Sequence, residues 1–243
     1  MIPVLTIEPL CEAVTRVGFA FVPAATMQGI LPSFGLLADW QAFAESWGDL
    51  RVDTYMADGG RYRQRRHAAY SVTRDGAIAR KPHQAHFQTR DYNPLNGGIA
   101  RWFEPIDTAV GEGPTLQTIL RFCHSLFQAV APASDGWDVE AHQFRIEARR
   151  ETHGRPTPEG MHRDGVDFAL VLLIDRCNIA RGTTTIQASD GRPLGSFTLT
   201  ETLDAVVVDD RRVYHGVTPV EPLDPSRSAH RDVLVVTFRQ EGR

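Results

Sequence analysis

Gly160-Met161-His162-Arg163-Asp164-Gly165 runs directly into an apolar stretch, Val166 to Ile174. Side chains alternate along an extended chain, so His162 and Asp164 project to the same side and can grip one metal ion. A third ligand has to come from elsewhere in the chain. His215, in Val213-Tyr214-His215-Gly216-Val217, is the natural donor. It follows Val206-Val207-Val208-Asp209-Asp210, which reads as a buried strand ending in a turn.

A lone His-x-Asp is weak evidence, because nine histidines and 30 acidic residues among 243 produce about one such pair by chance. A second pair does exist, His230-Arg231-Asp232. The two are not equivalent. No histidine follows the second, whereas the first has flanking glycines, a long strand after it and His215 downstream.

Outward from this motif, the chain beyond about Val139 reads as short strands separated by Gly, Pro, Asn and Asp. We read them at His142–Ala148, Val166–Ile174, Thr183–Ala188, Ser196–Thr200, Ala205–Val208, Val213–Val217 and Val233–Phe238. Many short strands at regular spacing indicate a sandwich or barrel. The first half is more helical. Glu8–Arg16 reads as a short helix and Gly18–Val22 as extended. Apolar residues at Phe34, Leu37, Trp40, Phe43 and Trp47 mark one helix face, and Thr115–Val130 another helix that Pro132 stops. Tyr62–Val72 and Pro82–Arg90 read as strands.

The expectation is therefore a mainly β protein with flanking helices, its N-terminal helices buttressing a double-sheet core. With no linker or repeat, residues 1–243 are expected to form one domain: a support region over 1–138 and a metal-binding core over 139–243.

Composition narrows the function classes. The formal net charge is −4, so no basic excess is available to neutralise phosphates, and no nucleic-acid partner is expected. The three cysteines lack Cys-x-x-Cys spacing and read as reduced thiols, not as a disulfide frame or a zinc site. No secretory signal or membrane-length apolar run is visible, so a cytoplasmic protein with no membrane partner is expected. The sequence leaves room for a homodimer.

Two histidines and one carboxylate on one face of a metal leave three positions open, the arrangement of non-haem Fe(II) oxygenases. Such an enzyme commonly takes a 2-oxoacid, whose distal carboxylate wants a planar, permanently charged guanidinium. Arg227 and Arg231 both follow His215. Arg227 lies in an Asp-Pro-Ser loop, whereas Arg231 opens a strand, the stiffer platform, and is our choice. Two other readings use the same scaffold: a non-redox divalent-metal β-barrel enzyme, or a metal-free binding module.

At these residues the sequence resembles the Fe(II)/2-oxoglutarate dioxygenase superfamily, and within it the bacterial family that includes free L-isoleucine and related amino-acid hydroxylases. The resemblance rests on Phe144-Arg145-Ile146, Pro158-Glu159-Gly160 before the His162 motif, Gly182-Thr183-Thr184-Thr185-Ile186, His215-Gly216-Val217-Thr218-Pro219 and Arg231-Asp232-Val233-Leu234-Val235. It covers most of the last hundred residues, with looser matches at Gly18-Phe19 and Tyr92-Asn93. It implies a double-stranded β-helix (jelly-roll) core with His162, Asp164 and His215 on Fe(II) and Arg231 on the far carboxylate of 2-oxoglutarate. It also implies O2 as co-substrate, succinate and CO2 as products, and hydroxylation of a small molecule such as a free L-amino acid.

An amino-acid substrate needs a cation and an anion in the pocket. Arg61, Arg63 and Arg65 on one face of the Tyr62–Val72 strand could supply the first, and Asp167 or Glu147 the second. We read that arginine face instead as a solvated edge strand whose charges discourage aggregation. No substrate residue is assigned from the sequence.

Overall fold

The computed structural model describes residues 6–151 and 153–242. Its helices are α1 (Glu8–Val17), α2 (Ala24–Ile30), α3 (Trp40–Glu45), α4 (Thr108–Gly111) and α5 (Pro114–Val130). The strands begin with β1 (Phe19–Val22), β2 (Arg51–Val52), β3 (Arg63–Thr73), β4 (Ile78–Arg80), β5 (Gly136–Ala148) and β6 (Phe168–Cys177). They continue with β7 (Ile179–Arg181), β8 (Thr183–Ala188), β9 (Pro193–Thr198), β10 (Ala205–Asp209), β11 (Val213–Val217), β12 (Val220–Pro222) and β13 (Ala229–Gln240).

Eight strands form a major sheet in the order β1-β10-β6-β13-β5-β3-β2, with β4 on β3. A minor sheet, β11-β8-β9, faces it, and β12 pairs with β7. These are the two layers of a double-stranded β-helix, and the major sheet draws strands from both sides of residue 139.

Alternation along the strands divides the major sheet into two faces. Its outer face, with Leu234, Val236 and Phe238 of β13 and Leu170 and Leu172 of β6, packs against the helices in one core. Helix α5 supplies most of that cover through Leu116, Ile119, Leu120, Cys123 and Phe127. Phe127 stacks on Phe168 at 4.9 Å and meets Phe238 edge-on at 5.0 Å. Each such ring pair contributes about 0.5–1.5 kcal/mol beyond the area it buries. The inner face of β13 carries Arg231, Val233, Val235 and Thr237 into the space between the sheets.

Three expectations change. The Phe34–Trp47 stripe is not one helix: only Trp40–Glu45 is α-helical, followed by a 3-10 turn over Ser46–Asp49. Residues 36–39 are engaged elsewhere. The Leu36 carbonyl accepts from Thr118 Oγ1, and Asp39 caps α5 by accepting from the Thr115 main-chain N–H at 2.8 Å. That long-range cap satisfies a helix N-terminus and takes the segment out of helical register. Pro82–Arg90 is a loop touching regular pairing only at the isolated bridge His86↔Arg101.

The third concerns the arginine face. Strand β3 is not a solvated edge. It pairs with β5 from Arg63↔Ile146 to Thr73↔Gly136, and Arg63, Arg65 and Arg66 are buried. Arg61 alone is exposed.

Candidate active site

His162 and His215 form an isolated antiparallel bridge, each donating its main-chain N–H to the other's carbonyl at 2.9 Å. The bridge ties the loop before β6 to the middle of β11 and sets the imidazole centroids 4.4 Å apart. Asp164 lies between them, 3.6 Å from His162 Nε2 and 3.6 Å from His215 Nε2. One ligand atom from each of the three lies within 4.8 Å of the others. The His162 Nδ1–H donates to the Gly160 carbonyl at 3.1 Å, leaving Nε2 free to face the cluster.

Asp210 holds this loop. Its carboxylate accepts from the main-chain N–H groups of Asp164, Gly165 and Val166 at 2.9, 2.8 and 3.2 Å. Gly165 sits at φ +81° with the Tyr92 ring across it, and a Cβ there would lie 2.6 Å from Tyr92 Cδ2. Only glycine meets both demands cheaply.

The electrostatics are those of a cation site. Burial opposes charge on His162, but its bond to Asp164 and the charges of Asp164 and Glu159 outweigh it and raise its pKa to about 9. Burial, then the His162 charge, pushes His215 down to about 4. Asp164 is buried yet held well below the usual carboxylate range by His162 and His215. Burial and the Asp164 charge push Asp210 up to about 7.

Arg231 projects from β13 into the same cavity and is 2% exposed. Among the described residues, its Nε and Nη2 have no hydrogen-bond partner. Burial and the neighbouring Arg176 lower its pKa to about 10, as expected of a guanidinium without its anion. Arg227 is exposed on its loop and does not line the cavity. His230 and Asp232 lie apart from it, bound to Asp175 and Arg145.

The cavity, about 740 Å³, lies between the sheets. Its floor is aliphatic: Val171, Ile186, Val206, Val208, Val233 and Val235. Beside the floor, further along the same sheet, the lining is polar, built from Arg63 and Arg65 of β3, Glu140 and His142 of β5, and the bridged pair His86 and Arg101. Sequence reading missed most of this wall, because mixed charges at alternate positions look like a solvated strand until the partner strand is known. It missed Glu159 too, whose Oε1 lies 3.4 Å from His162 Nε2 and whose Oε2 is buried without a partner. Asp167 accepts from the Gln240 main-chain N–H and faces Arg211, while Glu147 turns away to Gln64 and Arg149.

Two imidazoles and a carboxylate suit a divalent first-row ion better than calcium, which prefers an all-oxygen shell. The two unpartnered nitrogens of Arg231 suit a carboxylate held in a fork. Both groups fit the residues present.

The comparisons with known proteins agree. The model of the 2OG-Fe dioxygenase family matches residues 44–237. A 3(1)-hydroxy-L-isoleucine 4-dioxygenase of Pantoea ananatis is 24% identical over 234 residues, 93% of each chain. An L-isoleucine-4-hydroxylase of Bacillus thuringiensis is 31% identical over 156 residues, 63% of this chain and 64% of that one. Among solved structures, a bsmA homolog from Methylobium petroleophilum is 35% identical, with a TM-score of 0.87 over 98% of this chain and 94% of that one. The IDO structure from Bacillus thuringiensis shares the fold at a TM-score of 0.78 and 20% identity, covering 97% of this chain and 96% of that one. The cavity between the sheets thus belongs to an enzyme that works with Fe(II), 2-oxoglutarate and O2, and the chain is a member of the 2OG-Fe dioxygenase family.

Proposed function

We propose that this dioxygenase hydroxylates an aliphatic carbon of a free L-amino acid. The similarity to two isoleucine oxygenases supports that substrate class. The observation that carries the reading is the unpartnered, buried Arg231 guanidinium on the same cavity wall system as His162, Asp164 and His215. In this reading His162, Asp164 and His215 hold Fe(II), and Arg231 takes the distal carboxylate of 2-oxoglutarate. When bound, the metal would activate O2, the oxidant, so that one oxygen atom passes to 2-oxoglutarate as it is oxidised to succinate and CO2 and the other to the substrate C–H bond.

The chain's own residues orient and exclude. Gly160 fixes the tautomer of His162, and Asp210 fixes the loop that presents Asp164. The valine floor keeps water from the reacting carbon. Residues from both regions line the cavity, so the whole chain would act as one unit.

Succinate release with Fe(II), 2-oxoglutarate and ascorbate, screened over the twenty proteinogenic L-amino acids, tests the reading. One or a few amino acids should stimulate release, and His162→Ala should abolish it. Stimulation by none would remove the substrate class. Anaerobic addition of Fe(II) and 2-oxoglutarate should give the weak visible charge-transfer band of the chelate. Its absence would favour the non-redox metal enzyme instead.

A further inference from the structure

Three histidines outside the metal cluster converge on one carboxylate. Glu140 faces His86 Nδ1 at 2.7 Å, His67 Nε2 at 3.3 Å and His142 Nε2 at 3.4 Å. On the far side of the His142 ring, Nδ1 lies 2.7 Å from Arg65 Nη2. A guanidinium can only donate, so His142 Nδ1 accepts and its Nε2 carries the proton toward Glu140. The order Arg65, His142, Glu140 is therefore fixed: cation, neutral ring, anion.

Arg65 is clamped between aromatic faces, 3.6 Å from the Phe103 centroid and 4.4 Å from that of Phe144, and among the described residues its Nε has no partner. Arg101, also buried, leaves its Nε without a partner as well. On this wall the guanidiniums of Arg63, Arg65 and Arg101 face the carboxylates of Asp53, Glu140 and Glu159, and Asp53 binds Arg63 while lying 3.7 Å from Arg65 Nη1. Burial and the Arg63 charge lower the pKa of Arg65 and Arg101, as expected of buried, crowded guanidiniums. The wall leaves two buried guanidinium nitrogens, Arg65 Nε and Arg101 Nε, available to donate to an anion.

One imidazole separates the two poles, so Arg65 Nη2 and Glu140 Oε2 are at most roughly 8 Å apart. An ammonium and a carboxylate on one carbon, with a hydrogen bond of about 2.8 Å at each end, span a similar distance.

We propose that Arg65 and Glu140 are the two poles of a head-group subsite. Arg65, backed by Arg101, takes the carboxylate of a free α-amino acid, and Glu140 takes its ammonium. The substrate's aliphatic side chain then lies over the valine floor. The proposal rests on the amino-acid reading above and adds the residues that would enforce it. Glu159 is the competing acceptor, but its Oε1 sits against His162 Nε2, the atom offered to the metal.

The other occupant such a cluster suggests is a second metal ion, since ligand atoms of His67, His86, Glu140 and His142 lie within 4.8 Å of one another. The Arg65 contact argues against it. It leaves the proton on the His142 nitrogen a metal would need, and Arg65 and Arg101 both repel a cation there.

The test uses the iron-loaded enzyme with 2-oxoglutarate and the amino acid that stimulates succinate release most. Wild type should prefer it at least about 100-fold in kcat/KM over both its carboxamide and its deaminated analogue, since a site built around two charges rejects ligands lacking either. Glu140→Gln should lose the discrimination against the deaminated analogue and keep that against the carboxamide. Arg65→Met should do the reverse, with Arg101→Gln as the milder variant if Arg65→Met does not fold. The KM for 2-oxoglutarate and the charge-transfer band should stay unchanged in all three. Discrimination unaltered in Glu140→Gln, or lost instead in Glu159→Gln, would overturn the assignment. So would two metal equivalents per chain, one of them lost in His86→Ala. If the band forms but no amino acid stimulates turnover, the subsite falls while the iron reading stands. If the band never forms, both fall.

Discussion

His162 and His215 are coupled through their main chains: two 2.9 Å hydrogen bonds join them directly, although they belong to a loop and to a strand of the minor sheet. The separation of their rings is therefore set by peptide geometry and survives without any ion. The carboxylate is the more loosely placed member. Asp164 follows a glycine-flanked loop whose position depends on Asp210.

Asp210→Ala should accordingly weaken the metal site while leaving all three proposed ligands in place. Three main-chain donors would lose their acceptor, and outer-shell losses of this kind typically cost about 10–100-fold in metal affinity. A competition titration with Mn(II) checks this, with circular dichroism confirming the fold. Unchanged affinity would show that the loop holds itself.

Arg231→Lys keeps the charge and removes the fork. We expect the KM for 2-oxoglutarate to rise about 10–100-fold, in line with breaking a buried, hydrogen-bonded charge pair. Metal affinity should not move. A substitution that alters metal binding and spares 2-oxoglutarate would place Arg231 outside the co-substrate site.

Metal affinity should rise with pH. In the metal-free protein His162 holds its proton up to about pH 9 because of the Asp164 and Glu159 charges, which outweigh its burial. An incoming ion must displace that proton, so each unit below pH 9 costs about 1.4 kcal/mol, or a factor of about ten. Mn(II) binding followed by electron paramagnetic resonance should be about 10–30-fold tighter at pH 8.0 than at pH 6.5. A flat profile would mean that His162 is already neutral.

Gly165→Ala tests the loop from the opposite side. The added methyl meets Tyr92 at 2.6 Å and forces a left-handed conformation on alanine. Stability should fall by about 1–3 kcal/mol. Activity should fall further than stability explains, because Asp164 is the next residue. Thermal melts alongside succinate release separate the two effects.

The strands of the second half and the metal cluster were legible in the sequence because their signals are local. His162 and Asp164 are two residues apart, and the valine runs before His215 announce a buried strand without reference to any partner. Arg63 and Arg65 were misread because their environment is not local. A strand of alternating charges is indistinguishable from a solvated edge until β5 is laid beside it with Phe144 and His142 in register. His86 and Arg101 were out of reach for the same reason, since one isolated bridge in a long loop brings them together. The aromatic stripe from Phe34 to Trp47 was correctly assigned to the core. The helix expected there gives way where Asp39 leaves to cap α5.

Strand β13, which carries Arg231 and the valines of the floor, is laddered on both sides, to β5 along its whole length and to β6 along most of it. Strand β3 is different: on its side away from β5 the described residues pair it with two residues of β2 and three of β4, and between them the irregular segment around Glu104 to Ile106 closes its edge. The proposed co-substrate arginine and the valine floor are thus woven into the sheet, whereas one pole of the proposed head-group subsite, Arg65, stands on a strand whose outer edge is closed by a loop. Insertions and exchanges in that loop can remodel this side of the cavity while the sheet, and with it the placing of Arg231, keeps its register.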